Sequence, residues 1–220
     1  MQREALHFRS TKDIDIVIIA ENMSHDFAIA IWEFIQLGGY KAYERIDGKK
    51  CFYRFVKPQN EDFPYMLELF SRSPIELKEK NNGKIIPIPT NEEDVSSLSG
   101  ILLDENYYTF IKEHSVVING VSVLSPEALI VLKSHAWFDL MSKKALGEMI
   151  PSKELRKHRL DIVRLLMLVQ ENKKVVLPNE LHENFKMFIS EYEKNEINMK
   201  ELGLEITFKE AISIIKEIFL

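Results

Sequence analysis

The sequence predicts an α+β fold: a mixed β-sheet with flanking helices, followed by a helical C-terminal half. Three observations predict it. Short β-branched runs and hairpin dipeptides crowd the first 124 residues. After Ser125-Pro126-Glu127 the apolar spacing changes to that of a helix face. That helix start also carries its own punctuation, a serine N-cap followed by proline at the first helical position. The expected division therefore lies near residue 125, with an α/β domain over 1–125 and a helical domain over 126–220.

Taken in order, residues 13–20 form the first strand. Their β-branched run begins at Asp13-Ile14-Asp15. A helix follows from Ser24, its N-cap, to Leu37, with Phe27, Ile31, Phe34 and Ile35 on one face. Gly38-Gly39 ends it. Tyr40 to Ile46 and Lys50 to Val56 are strands joined at Asp47-Gly48, a hairpin turn. Pro58 to Pro64 is a loop, and Tyr65 to Phe70 is a strand with Met66, Glu68 and Phe70 on one side. Residues 74–100 are irregular, with a short strand expected at Ile85 to Ile88. Asn119-Gly120 joins a second hairpin of Val116–Ile118 and Val121–Leu124. The helix after Ser125 shows Leu129, Leu132, Ala136 and Leu140 on its apolar face. Further helices are expected over Ser152 to Gln170, after Pro178, and up to Leu220.

Composition narrows the function classes. The 220 residues are 45% hydrophobic and 29% charged, an ordinary globular balance. The net charge of −5 argues against a broad nucleic-acid surface. A single cysteine, Cys51, forms no internal disulfide and fits a reducing, cytoplasmic setting. Its neighbours supply no base and no metal-ligand spacing, so it reads as a packing residue of a strand. No run approaches the ~18 apolar residues of a membrane helix, the N-terminus is too polar for a signal peptide, and no membrane partner is expected.

The chemistry concentrates in Arg9-Ser10-Thr11-Lys12-Asp13-Ile14-Asp15. On a strand, residues two apart point to the same face, so Asp13 and Asp15 stand side by side. Two adjacent carboxylates repel, and a cation between them relieves the cost. Paired hard oxygens suit Mg²⁺, which keeps waters and completes its shell with substrate phosphates. The strand order brings the strand of Glu68 into the same sheet, which makes Glu68 a third carboxylate for that rim.

These residues resemble the nucleotidyltransferase-fold superfamily, in the branch of the AbiEii-type toxins and related bacterial proteins. The resemblance rests on Arg9 to Asp15, on Leu67-Glu68-Leu69, on Leu132-Lys133-Ser134-His135-Ala136, and on Lys157-His158-Arg159-Leu160-Asp161. It spans about residues 9–165. It implies a nucleotidyltransferase-like sheet and two Mg²⁺ ions held by Asp13, Asp15 and Glu68, which would also be the catalytic residues. It implies nucleotide binding by Arg9, Ser10, Thr11, Lys133, Lys157 and Asp161, with Asp161 orienting Lys157 or contacting the acceptor. The partners implied are an NTP, an acceptor hydroxyl on a protein, an RNA end or a small molecule, and an antitoxin protein. Two features depart from the family pattern. Residues 1–12 contain no glycine, where the family places a phosphate-cradling glycine pair before the first aspartate. His158 stands where the family has an acid.

Plainer readings exist for each residue. Asp13 and Asp15 fit a solvated strand end, Glu68 fits a cross-strand ion pair, and Lys133 and Lys157 fit solvated helix faces. The basic run Lys153 to Arg159 suits a solvated face or a phosphate equally well. His135 and His158 lack zinc-ligand spacing, and no dinucleotide, Walker or serine-hydrolase motif occurs. Two functional readings follow: a Mg²⁺-dependent nucleotidyltransferase, or a catalytically inactive module of that fold that binds nucleotide or a protein partner. A helical scaffold alone leaves Asp13-Ile14-Asp15 unexplained.

Overall fold

In the computed structural model, residues 13–17, 25–44, 50–70, 76–78, 85–87 and 105–220 are described. Strand β1, Asp13–Val17, pairs in parallel with β4, Met66–Phe70. Between them in sequence lie helix α1, His25–Gly38, and strands β2, Lys41–Glu44, and β3, Lys50–Val56. The four strands form one sheet in the order β1-β4-β3-β2. The parallel pair needs a long crossover, whereas β2–β3 and β3–β4 are antiparallel neighbours. The mixed sheet is therefore present, and the strand of Glu68 does lie beside that of Asp13 and Asp15.

Helix α1 ends as its glycines require. Gly39 takes φ +64°, and its N–H donates to the Gln36 carbonyl at 3.0 Å. Gly38 has a different reason. A Cβ there would meet the Tyr40 ring at 2.5 Å and Phe63 at 2.8 Å. That close approach seats Phe34, Tyr40 and Phe63 in one aromatic cluster. The helix buries Trp32 and Ile35, and Trp32 meets Phe55 of β3 edge-on. Leu67, Leu69 and Phe70 complete this core. Glu68 is buried as well, so β4 is covered on both faces and not on one alone. The expected Ser24 cap, the Asp47-Gly48 turn and residues 18–20 of the first strand lie outside the described residues. The short strand at 85–88 is observed as β6, Ile85–Pro87, paired with β5, Glu76–Lys78.

A second unit is mainly helical. It contains α2, Glu105–Glu113; the hairpin β7, Ser115–Ile118, and β8, Val121–Leu124; and α3, Pro126–Ala145. These are followed by α4, Ser152–Leu166; α5, Asn179–Tyr192; a 3₁₀ turn, Met199–Leu202; and α6, Phe208–Phe219. The compact units divide at Leu103/Asp104, about twenty residues before the expected boundary. The reason is local bonding. The Ser125 N–H donates to the His114 carbonyl at 2.9 Å, and the Tyr107 hydroxyl meets His135 Nδ1 at 2.5 Å, which ties α2 and the hairpin to α3.

The hairpin turn is as expected, with φ +51° at Asn119 and +81° at Gly120. Ser125 Oγ accepts from the Ala128 N–H, and Pro126 sits at the first helical position. The buried stripe of α3 runs through Ala128, Val131, Leu132 and Ala136, with Leu129 and Leu140 only half-buried. Helix α3 is thus covered over a wider arc than its simplest periodicity suggests. Helix α4 stops at Leu166, four residues before the expected Gln170. Trp137 packs edge-on against Phe188 and Tyr192, where α3 meets α5.

Candidate functional site

The sheet places the candidate residues by register. Asp15 stands opposite Glu68 on the parallel pair β1–β4, and Arg54 stands opposite Glu68 on the antiparallel pair β3–β4. Directly paired residues share a sheet face, with strands about 4.8 Å apart. Asp15, Glu68 and Arg54 therefore form one row across three strands. Asp15 is exposed, while Glu68 is 9% exposed. Arg54 Nε donates to Glu68 Oε1 in a close ion pair. Asp13 begins β1 and stands opposite Met66.

This arrangement has two consequences. The register brings two of the three expected carboxylates, Asp15 and Glu68, to one level of the sheet. It also gives Glu68 a cationic partner that the sequence reading did not identify. Arg54 offered no separate signal, because its role depends on which residue faces it across two strands. Oxygen donors on adjacent strands fit Mg²⁺, which needs only one or two protein carboxylates. Among the described residues no group of three or more His, Cys, Asp or Glu side chains is placed to hold a metal. Arg9, Ser10 and Thr11 lie outside the described residues.

The helical unit holds the remaining candidates. Lys133 Nζ of α3 donates to Asp161 Oδ2 of α4 at 3.1 Å. Arg164 Nη1 stands 3.8 Å from Asp161 Oδ1. One buried carboxylate thus holds a cation at each oxygen. Burial of Asp161 is feasible only because it is paired. Lys157 lies one turn earlier on α4, with its Nζ 3.9 Å from Glu154 Oε2. The sequence reading gave Asp161 the role of orienting Lys157 or contacting the acceptor; its carboxylate holds Lys133 and Arg164, and the Lys157 ammonium lies beside Glu154. Arg164, a further cation of that group, sits at the i+3 spacing that puts it on the same helix face.

A cavity of roughly 200 Å³ opens between α3 and α5, lined in part by Tyr107, His135, Phe138, Asp139 and Asn184. Ser134 and His135 of the motif around Lys133 line it, but none of the proposed catalytic or nucleotide-binding residues does. Comparison with known proteins returns no match among protein-family models, curated proteins or solved structures.

Proposed function

We propose that this chain catalyses Mg²⁺-dependent nucleotidyl transfer from an NTP to a hydroxyl acceptor on a protein, an RNA end or a small molecule. The toxin of a toxin–antitoxin pair, acting in the cytoplasm, is the setting that the sequence resemblance suggests. One observation carries the reading: Asp15 and Glu68 stand in register on adjacent parallel strands, with Asp13 at the start of the same strand. Asp13, Asp15 and Glu68 would hold the metal. When bound there, Mg²⁺ would lower the pKa of an attacking hydroxyl and neutralise a leaving pyrophosphate.

The reaction forms a bond between the acceptor oxygen and the α-phosphorus and breaks the bond from that phosphorus to the β-phosphate bridge. The acceptor proton passes to solvent, and pyrophosphate leaves. Lys133 and Lys157 are the proposed phosphate-binding cations. Asp161 fixes the Lys133 ammonium, so it acts as a positioning residue. The test is label transfer from each α-³²P-labelled NTP, with Mg²⁺, to protein and RNA pools. Labelling by the wild type that Asp13→Asn/Asp15→Asn loses supports the reading. Absence of labelling with all four NTPs counts against it.

The Arg54–Glu68 ion pair favours a second reading. It satisfies Glu68 without any metal, as in a catalytically inactive module that binds nucleotide or a protein partner. The variant Arg54→Ala separates the two. If Glu68 is a ligand, the loss of its competitor raises Mg²⁺ affinity severalfold. If the pair is structural only, the variant lowers stability and leaves Mg²⁺ binding unchanged.

A further inference from the structure

The turn between α3 and α4 carries a pattern that the nucleotidyl-transfer reading does not use. Met149 is 98% exposed and Leu146 is 84% exposed. Leu146 precedes Gly147, and Met149 follows it after the exposed Glu148; the φ of Gly147 is +95°, and its Cβ position would meet nothing within 4 Å. The turn therefore projects into open space with two apolar side chains uncovered. Around it the charge is one-sided. Residues 143–159 hold six basic side chains against Glu148 and Glu154, within a chain of net charge −5. Lys144, Lys153 and Arg156 are exposed at the ends of the two helices that the turn joins. Lys143 is tied to Asp139 at 2.9 Å, Lys157 lies 3.9 Å from Glu154, and Arg159 is only half-exposed, so Lys144, Lys153 and Arg156 are the cations that present their charge most openly.

We infer that this turn is a peripheral docking point for an anionic lipid bilayer, with Leu146 and Met149 entering the headgroup boundary and Lys144, Lys153 and Arg156 facing the lipid phosphates. The charge selects an anionic surface, and the shape selects a fluid one. A projecting two-residue apolar tip offers little area to a rigid protein partner, whose interface core would need larger anchors such as Trp, Tyr or Arg in pockets. It offers no aromatic ring for stacking on bases. An apolar tip within a basic collar matches the two-part physics of interfacial anchoring: modest insertion plus attraction to anionic headgroups. Among the described residues no helix is long and apolar enough to cross a membrane. The expectation of no membrane partner rested on spanning segments and does not bear on surface contact. This inference is independent of the reading for the sheet.

Flotation of the full-length chain tests it, using vesicles of mixed phosphatidylglycerol and phosphatidylcholine against phosphatidylcholine alone. The chain is expected to float with the anionic vesicles only, and less as salt rises. Each surface cation contributes about a fivefold factor, so the neutralising Lys144→Gln/Lys153→Gln/Arg156→Gln lowers partitioning by about a hundredfold. Leu146→Ser/Met149→Ser lowers it roughly tenfold. All five positions are exposed, and circular dichroism checks that both variants stay folded. Absence of flotation, or equal flotation of the variants, overturns the inference. So does tip-dependent binding to RNA or polyglutamate without vesicle binding.

Discussion

Asp161 and Tyr192 show how single buried polar groups govern the helical unit. Asp161 is 6% exposed and holds Lys133 and Arg164. Asp161→Asn keeps the shape and removes the charge, leaving two cations at a largely buried site. A loss of about 2 kcal/mol is expected, readable as a lower urea midpoint with unchanged slope. Tyr192 donates its hydroxyl to the Arg159 carbonyl at 2.8 Å, and the Arg159 guanidinium lies 5.3 Å from its ring centroid. Burial pushes the Tyr192 phenol well above its ordinary value of 10.0, and nearby Arg159 offsets this only in part. The phenol therefore ionises more readily in the unfolded chain. The resulting stability is complete below about pH 10 and falls as pH rises further. Urea titrations in that alkaline range are expected to show the decline, and Tyr192→Phe is expected to flatten it. A Tyr192→Phe profile as steep as the wild type would contradict this assignment.

At the scale of elements, the capped start of α3 was the most legible feature. Ser125 and Pro126 start α3 as their chemistry dictates. Thr207 and Glu210 close a reciprocal box at the start of α6: Thr207 Oγ1 accepts from the Glu210 N–H at 3.2 Å, and Glu210 Oε2 accepts from the Thr207 N–H at 2.7 Å. Thr207→Ala is expected to cost about 1 kcal/mol, seen as a lower thermal midpoint. Register was less legible than element type. Asp47-Gly48 signalled the antiparallel pairing of β2 and β3, yet their register shifts between Ala42 and Tyr43. Spacing in one strand cannot reveal such a shift. Arg54 escaped notice for the same reason, because its partner is set by the alignment of β3 with β4. Asp13 and Asp15 were visible because their relation lies within one strand.

Across the whole molecule, the helical unit carries its own core: Trp137, Phe188 and Tyr192 meet between α3 and α5, and Phe185 packs on Phe219 of α6. Residues 104–220 expressed alone are therefore expected to melt cooperatively with helical circular dichroism. A broad, non-cooperative melt would contradict that independence. The expected boundary at 125 missed α2 and the second hairpin because the hydrogen bonds that bind them to α3 join residues far apart in sequence. The central claim concerns the row Asp15–Glu68–Arg54 and the aspartate that precedes it on β1. Calorimetric titration of each NTP with Mg²⁺ into the wild type and into Asp13→Asn/Asp15→Asn tests it most directly. The account predicts binding that the double variant loses while remaining folded. Equal binding by both proteins, or none by the wild type, would contradict it.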